Sequence, residues 1–306
     1  MLTKFWESAG EGLSARWLEQ LFGPAFLFWS GGISIIVWKV GFYAAWNWIS
    51  TRDVATQSVT LIVSLLVILL SGELMRHLRF YFLRMLEGYW VWPFNYLGLL
   101  FININWWQIK RERQRWNILM NKKEKGTLSI PERWELSNLE INGHYTPANI
   151  DDCMPTSFGN ILRAAETAPK YKYGLDAVIC WPRLWLLISK ELQESLIDSR
   201  QRLELLVELF AWGLLFATWV IWWHWAILIS IIWMVGAYIL LNQSAMAYSD
   251  LIEATFDTQR FALYESVHWR LPQKTGKVEV VLGEQLTAFF WRGYSEKPIT
   301  LTQSKE

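Results

Sequence analysis

Between Leu205 and Leu241 the chain reads LLVELFAWGLLFATWVIWWHWAILISIIWMVGAYILL, and across these thirty-seven residues only Glu208, His224 and Tyr238 can ionise. A helix buried in a soluble core is shorter and keeps one polar side, so this run belongs in a lipid bilayer. Every other segment has to be placed relative to it. A straight helix of this length would measure about 56 Å at about 1.5 Å per residue, against a hydrocarbon core of roughly 30 Å. The run therefore reads as two spans. Their turn falls best at Trp222-Trp223-His224-Trp225, where three indoles and an imidazole suit the headgroup level. No Gly or Pro marks it.

The remainder is mixed. Of 306 residues 53% are hydrophobic, and mean hydropathy is +0.15, too low for a chain wholly in lipid and high for a soluble one. That fits one membrane bundle plus a domain of roughly 100 residues. Twenty-two Trp fit both headgroup anchoring and a soluble core. A net charge of +1 does not point to a nucleic-acid partner. Cys153 and Cys180 have neither zinc nor disulfide spacing, and on the topology below both are expected on the cytosolic side as reduced thiols.

Residues 1–22 place Leu13, Trp17, Leu18 and Leu21 at helical spacing among charges, which predicts an amphipathic interfacial helix ending at Gly23-Pro24. Acidic residues interrupt this stretch, so it does not read as a cleavable signal. Residues 23–72 predict a first transmembrane hairpin, with spans at about Ala25–Ile49 and Val54–Gly72 around the polar turn Thr51-Arg52-Asp53. Lys39 would lie about 21 Å along the first span. It reads either as a snorkelling side chain or as a functional intramembrane charge. Gly31-Gly32 would permit close helix approach.

Residues 73–203 form the expected cytosolic helical domain. Glu73–Glu87 continues in helical period, with Arg76, Arg79 and Arg84 largely off the apolar face as candidate contacts for anionic headgroups. Gly88 to Pro93 breaks that helix. NYLGLLFININWW (Asn95–Trp107) is too short to span, and both an interfacial position and packing in the domain are open. A polar helix over Gln108–Asn121 follows, then a prolyl-punctuated stretch in which LSNLEING could be a short strand. Asn160–Thr167 reads as helix, with an Arg163–Glu166 pair. Leu184–Glu204 reads as a helix running into the second hairpin, 204–241. Residues 242–306 continue as a long helix with an Asp257–Arg260 pair, then a piece over Val278–Trp291 capped by Gly293, then a frayed tail.

Four spans put both termini on one side. Residues 73–203 hold 18 of the 29 Lys and Arg and residues 242–306 hold 7, while the opposite loops hold only Arg52. Positive charge stays inside, so both termini and the 73–203 segment are expected in the cytosol, in a multi-pass protein of the cytoplasmic (inner) membrane.

No phosphate-binding glycine loop, dinucleotide fingerprint, zinc-protease motif or nucleophile elbow is present. The four histidines lack ligand spacing, and neither a metal set nor a cofactor is implied. Glu208 is the second intramembrane polar candidate beside Lys39. One region is dense in binding chemistry. Gly159 and Asn160 at a helix start could present backbone N–H groups to an anion or partner, with Arg163 and Arg183 as charge. On the other reading Gly159 and Asn160 make a turn and cap, and Arg163 pairs internally.

Four blocks carry a resemblance: GPAFLFWSGG, PTSFGNILRAAE, YGLDAVICWPRL and FDTQRFALYES. Together they resemble a family of uncharacterised bacterial integral membrane proteins of cyanobacterial and actinobacterial type. Where that family often reads P-T-R-x-G-N, this chain has Ser157. The resemblance implies the same four-span plan and brings no activity with it. The function expected is therefore non-catalytic: a mainly α membrane protein whose cytosolic domain binds a partner or reports a signal, with the bilayer and a further copy or another protein as partners. The alternative is an oligomeric ion channel or pore.

Overall fold

The computed structural model describes residues 23–90 and 95–293. The interfacial helix expected over 1–22 and the C-terminal tail lie outside them. The described residues are mainly helical and contain no strand. In chain order the helices are α1 Pro24–Val40, α2 Phe42–Ser50, α3 Val54–Glu87, α4 Asn95–Glu124, α5 Ile130–His144, α6 Ser157–Tyr173, α7 Ala177–Trp185, α8 Lys190–Phe216, α9 Ala226–Ser266 and α10 Lys277–Arg292.

Three of these are long and apolar enough to cross a membrane: α3, α8 with its short 3-10 extension to Ile221, and α9. The expected first span over Ala25–Ile49 is not one helix. It breaks into α1 and α2, bent by 104°. The break is at Gly41, whose φ of +93° lies outside helical space and is open to glycine. Its N–H still closes the last turn of α1 on the Val37 carbonyl (2.9 Å). Lys39 therefore sits in the last turn of a helix, where the partial negative charge of the exposed carbonyls suits a cation, and not inside an unbroken span.

The chain divides into two compact units. The first comprises Met1–Leu83 and Glu204–Leu241. Here the turn falls where the Trp-rich stretch predicted it. Helix α8 ends at Phe216, tightens into a 3-10 turn over Ala217–Ile221, and α9 begins at Ala226. Without Gly or Pro, the reversal is made by both Trp222 N–H and Trp223 N–H donating to the Trp219 carbonyl. Phe216 then packs on Trp233 and Phe210 on Tyr238, so α8 and the start of α9 run antiparallel. The Ser230 hydroxyl donates to the Gly213 carbonyl between them (2.7 Å). Gly31 and Gly32 do admit close approach, but of rings: a Cβ on either would strike Phe216 or Trp219. The Trp29 indole N–H donates to the Ser71 hydroxyl and ties α1 to α3 (3.0 Å).

The second unit comprises Arg84–Leu203 and Asn242–Glu306. Its core collects Leu175, from the link between α6 and α7, with Cys180, Leu184, Leu196, Phe256, Leu263, Tyr264 and Leu286 from α7 through α10. Three expectations are corrected here. Asn95–Trp107 and Gln108–Asn121 are one continuous helix, α4. The LSNLEING piece is helical, inside α5. Pro131 sits at the start of that helix, where a missing N–H is harmless. The Glu132 carboxylate accepts from Ser129 N–H (3.0 Å) and from Lys122 (2.6 Å). Lys122, then Ser129, hold that carboxyl down to about 2. Last, the expected helix over Leu184–Glu204 is interrupted. α7 ends at Trp185, and α8 starts at Lys190 with the Ser189 hydroxyl accepting from Leu192 N–H (3.4 Å). Helix α10 ends as expected, at Gly293 in left-handed conformation.

Candidate functional site

The PTSFGN block builds a joint. Thr156 caps α6, accepting from Gly159 N–H (2.9 Å), while its own hydroxyl donates to the Leu86 carbonyl at the end of α3 (2.6 Å). Gly159 lies against the Glu87 carbonyl so closely that a Cβ could not fit. The Asn160 side-chain oxygen accepts from Met154 N–H (2.7 Å), and the Asn105 amide of α4 donates to the Met154 and Pro155 carbonyls (3.2 and 2.5 Å). The N-terminus of α6, with its partial positive charge, thus meets the carbonyl end of α3.

Arg163, one turn further on, is held by Glu166 (3.2 Å) and Asp152 (3.6 Å). Arg183 is not brought to this place. On α7 it donates to the Ile179 and Phe290 carbonyls (2.7 and 3.1 Å) and lies over the Phe290 ring. Gly159, Asn160 and Arg163 are therefore neighbours, and Arg183 belongs to the contact of α7 with α10.

Among the described residues a further polar assembly lies on α9, of which the sequence reading gives only the Asp257–Arg260 spacing. Asp250, Glu253, Asp257 and Arg260 recur at steps of three and four, on one helical face. Tyr145 donates to Asp250 (3.0 Å), and His144 lies 3.4 Å from Asp250 and 3.7 Å from Glu253. Lys172 pairs with Glu253 and reaches Asp257 (3.7 Å), and Tyr173 donates to Asp257 (2.6 Å). Burial and that bond push the Tyr173 phenol up to about 12. The expected Asp257–Arg260 side-chain pair is replaced. Arg260 reaches the Asp257 backbone carbonyl, and its Nε donates to Glu279 of α10 (2.7 Å). Glu279 is only 2% exposed, and the guanidinium lies 4.2 Å from the Tyr173 ring centre. The face ties α5, α6 and α10 to α9. Its signal was the period of its charges, which an isolated i,i+3 pair does not reveal.

In the first unit, Arg79 bridges Glu204 (2.9 Å) and Glu208 (3.0 Å), so Glu208 is matched by a cation from α3. Arg76 pairs with Glu73 (2.5 Å). Arg84, in the second unit, pairs with Glu87 (3.0 Å) and stacks over Tyr89. Lys39 is exposed at the end of α1. Between α1, α8 and α9 lies a groove of about 760 Å³, lined by Leu27, Gly31, Trp38, Phe216, Trp223 and Trp233 among others.

Comparison with protein-family models, with curated proteins and with solved structures gives no match to this chain.

Proposed function

We propose that this chain is a non-catalytic multi-pass protein of the cytoplasmic membrane whose second unit is a cytosolic helical domain that binds a protein partner or passes on a signal. The observation that carries it is α9. Forty-one residues run without a helix break from Ala226 to Ser266, about 60 Å at about 1.5 Å per residue and so about twice the bilayer core. Its first half is apolar, with one side on α8 and Ile227, Leu228, Ile231, Ile232, Val235 and Ile239 exposed. Its second half holds α5, α6 and α10 through the polar face above. A helix that is lipid-facing at one end and bonded into a domain at the other suits transmission better than turnover.

One feature favours a second reading, an oligomeric channel. The apolar groove between α1, α8 and α9 is open to side chains of another copy, and Lys39 follows its lining residue Trp38 in the chain. Purified protein in liposomes is expected to carry no ion flux above that of empty vesicles. Unitary currents altered by Lys39→Gln or Glu208→Gln would overturn the proposal in favour of the channel.

The orientation has its own test. His224 is exposed in the turn between α8 and α9. Cys153 and Cys180 are buried, and burial raises both thiols, Cys180 to about 11, so they react poorly at neutral pH. His224→Cys is expected to react with an impermeant maleimide applied to intact cells. Reaction only after permeabilisation would show that this turn faces the cytosol.

A further inference from the structure

We infer that the first half of α4 is an in-plane membrane anchor, seated in the headgroup layer of an anionic bilayer. The inference rests on the reading that the chain inserts in a membrane. Tyr96, Leu99, Leu100, Phe101, Ile104 and Trp107 are each 47–65% exposed. Contiguous exposed apolar surface of this kind marks a contact with lipid or protein. The face turned inward is different. Gly98 packs on Trp90, Asn105 bonds the Met154 and Pro155 carbonyls, and Ile109 is buried. The helix is thus fixed on one side and leaves its apolar stripe, with Asn103 as a polar interruption, on the other.

Length and charge choose the occupant. From Asn95 to Trp107 the helix runs about 20 Å, too short to span roughly 30 Å of hydrocarbon and suited to lying in the interface. No Asp or Glu occurs between Glu87 and Glu112. The stripe of Leu100, Ile104 and Trp107 continues, at steps of four and three, into Arg111. The Arg111 guanidinium lies 5.5 Å from the Trp107 ring centre, and the Lys110 ammonium 6.0 Å from that of Trp106. Indoles beside exposed cations are the composition of the headgroup level, where basic side chains meet anionic lipid. The next basic residues turn away from this stripe: Arg113 donates to the Pro147 carbonyl and Arg115 pairs with Glu135 at 2.8 Å through both nitrogens. Only residues 88–94 separate α4 from α3, itself long and apolar enough to span, and that link reaches at most about 25 Å.

The test uses the full chain in vesicles of phosphatidylcholine and phosphatidylglycerol, with a nitroxide on Leu100→Cys or on Ile118→Cys. Ile118 is exposed on the same stripe, five turns further along, in the polar half of α4. The label at position 100 is expected to collide several-fold more with oxygen than with a water-soluble nickel chelate, and the label at 118 to do the reverse. Omitting phosphatidylglycerol should make the label at 100 shallower, and Lys110→Gln with Arg111→Gln should abolish that lipid dependence. Equal access of the chelate to both positions in vesicle-bound protein overturns the inference. So does dipolar broadening between labels at 100 on neighbouring copies, which would make the stripe a protein contact. Protein that fails to float with the vesicles would instead overturn the membrane reading beneath it.

Discussion

Arg260→Met is expected to destabilise the second unit by about 3–5 kcal/mol, the usual result of leaving one member of a buried ion pair alone. The Arg260 and Glu279 side chains are 12% and 3% exposed and meet at 2.7 Å. Without the guanidinium the Glu279 carboxylate stays buried but loses the group that balances its desolvation. It must then either stay charged in an apolar site or take up a proton, and both are unfavourable. Glu279→Gln should do less harm, because Arg260 retains the Asp257 carbonyl and two aromatic faces. The double change Arg260→Met with Glu279→Met should recover most of the loss, since an apolar pair of similar volume is often neutral or better. Hydrogen exchange of α10 amides in detergent measures all three. Equal and additive losses from the two single changes would show that the pair is not a coupled unit.

How much of this could be read beforehand differs by element. The run from Leu205 to Leu241 could be read because lipid imposes length and apolarity on every residue, and nothing remote can alter that demand. Its turn could be read because indoles concentrate at one level. The break at Gly41 could not, since a lone glycine is tolerated in an apolar helix and only the backbone angle reveals the bend. The continuity of α4 was hidden by an abrupt change from aromatic to basic composition at Gln108. Such a change looks like a boundary between elements, yet the helical backbone is indifferent to it. The quoted blocks were legible as special but not in what they do. Tyr173, Cys180, Leu184, Phe256 and Tyr264, from two of them, meet in the core of the second unit, and PTSFGN holds the end of α3. Glycine, asparagine and arginine at a helix start suit both an anion and a helix joint, and only the neighbour against them decides.

Gly159 separates those two roles by the sign of a substitution. Helix propensity alone makes Gly159→Ala stabilising by roughly 1 kcal/mol. An anion site built from backbone N–H groups would leave the protein at least as stable, with only binding impaired. In the joint, the new Cβ would collide with the Glu87 carbonyl and press on Met154 and on the Thr156 hydroxyl. Backbone cannot swing aside as a flexible side chain can, and overpacking of this kind costs about 1–3 kcal/mol or more. The clash should therefore outweigh the propensity gain, and the thermal midpoint followed by Trp fluorescence should fall, at about 2–4 °C per kcal/mol lost. Gly143→Ala is the matched control. Gly143 is also helical, in the last turn of α5, and nothing lies within 4 Å of where its Cβ would be, so this change should leave the midpoint unchanged or raise it. A rise for Gly159→Ala as large as that for Gly143→Ala would show that α6 does not close on the carbonyl end of α3, and would return the block to the anion-binding reading.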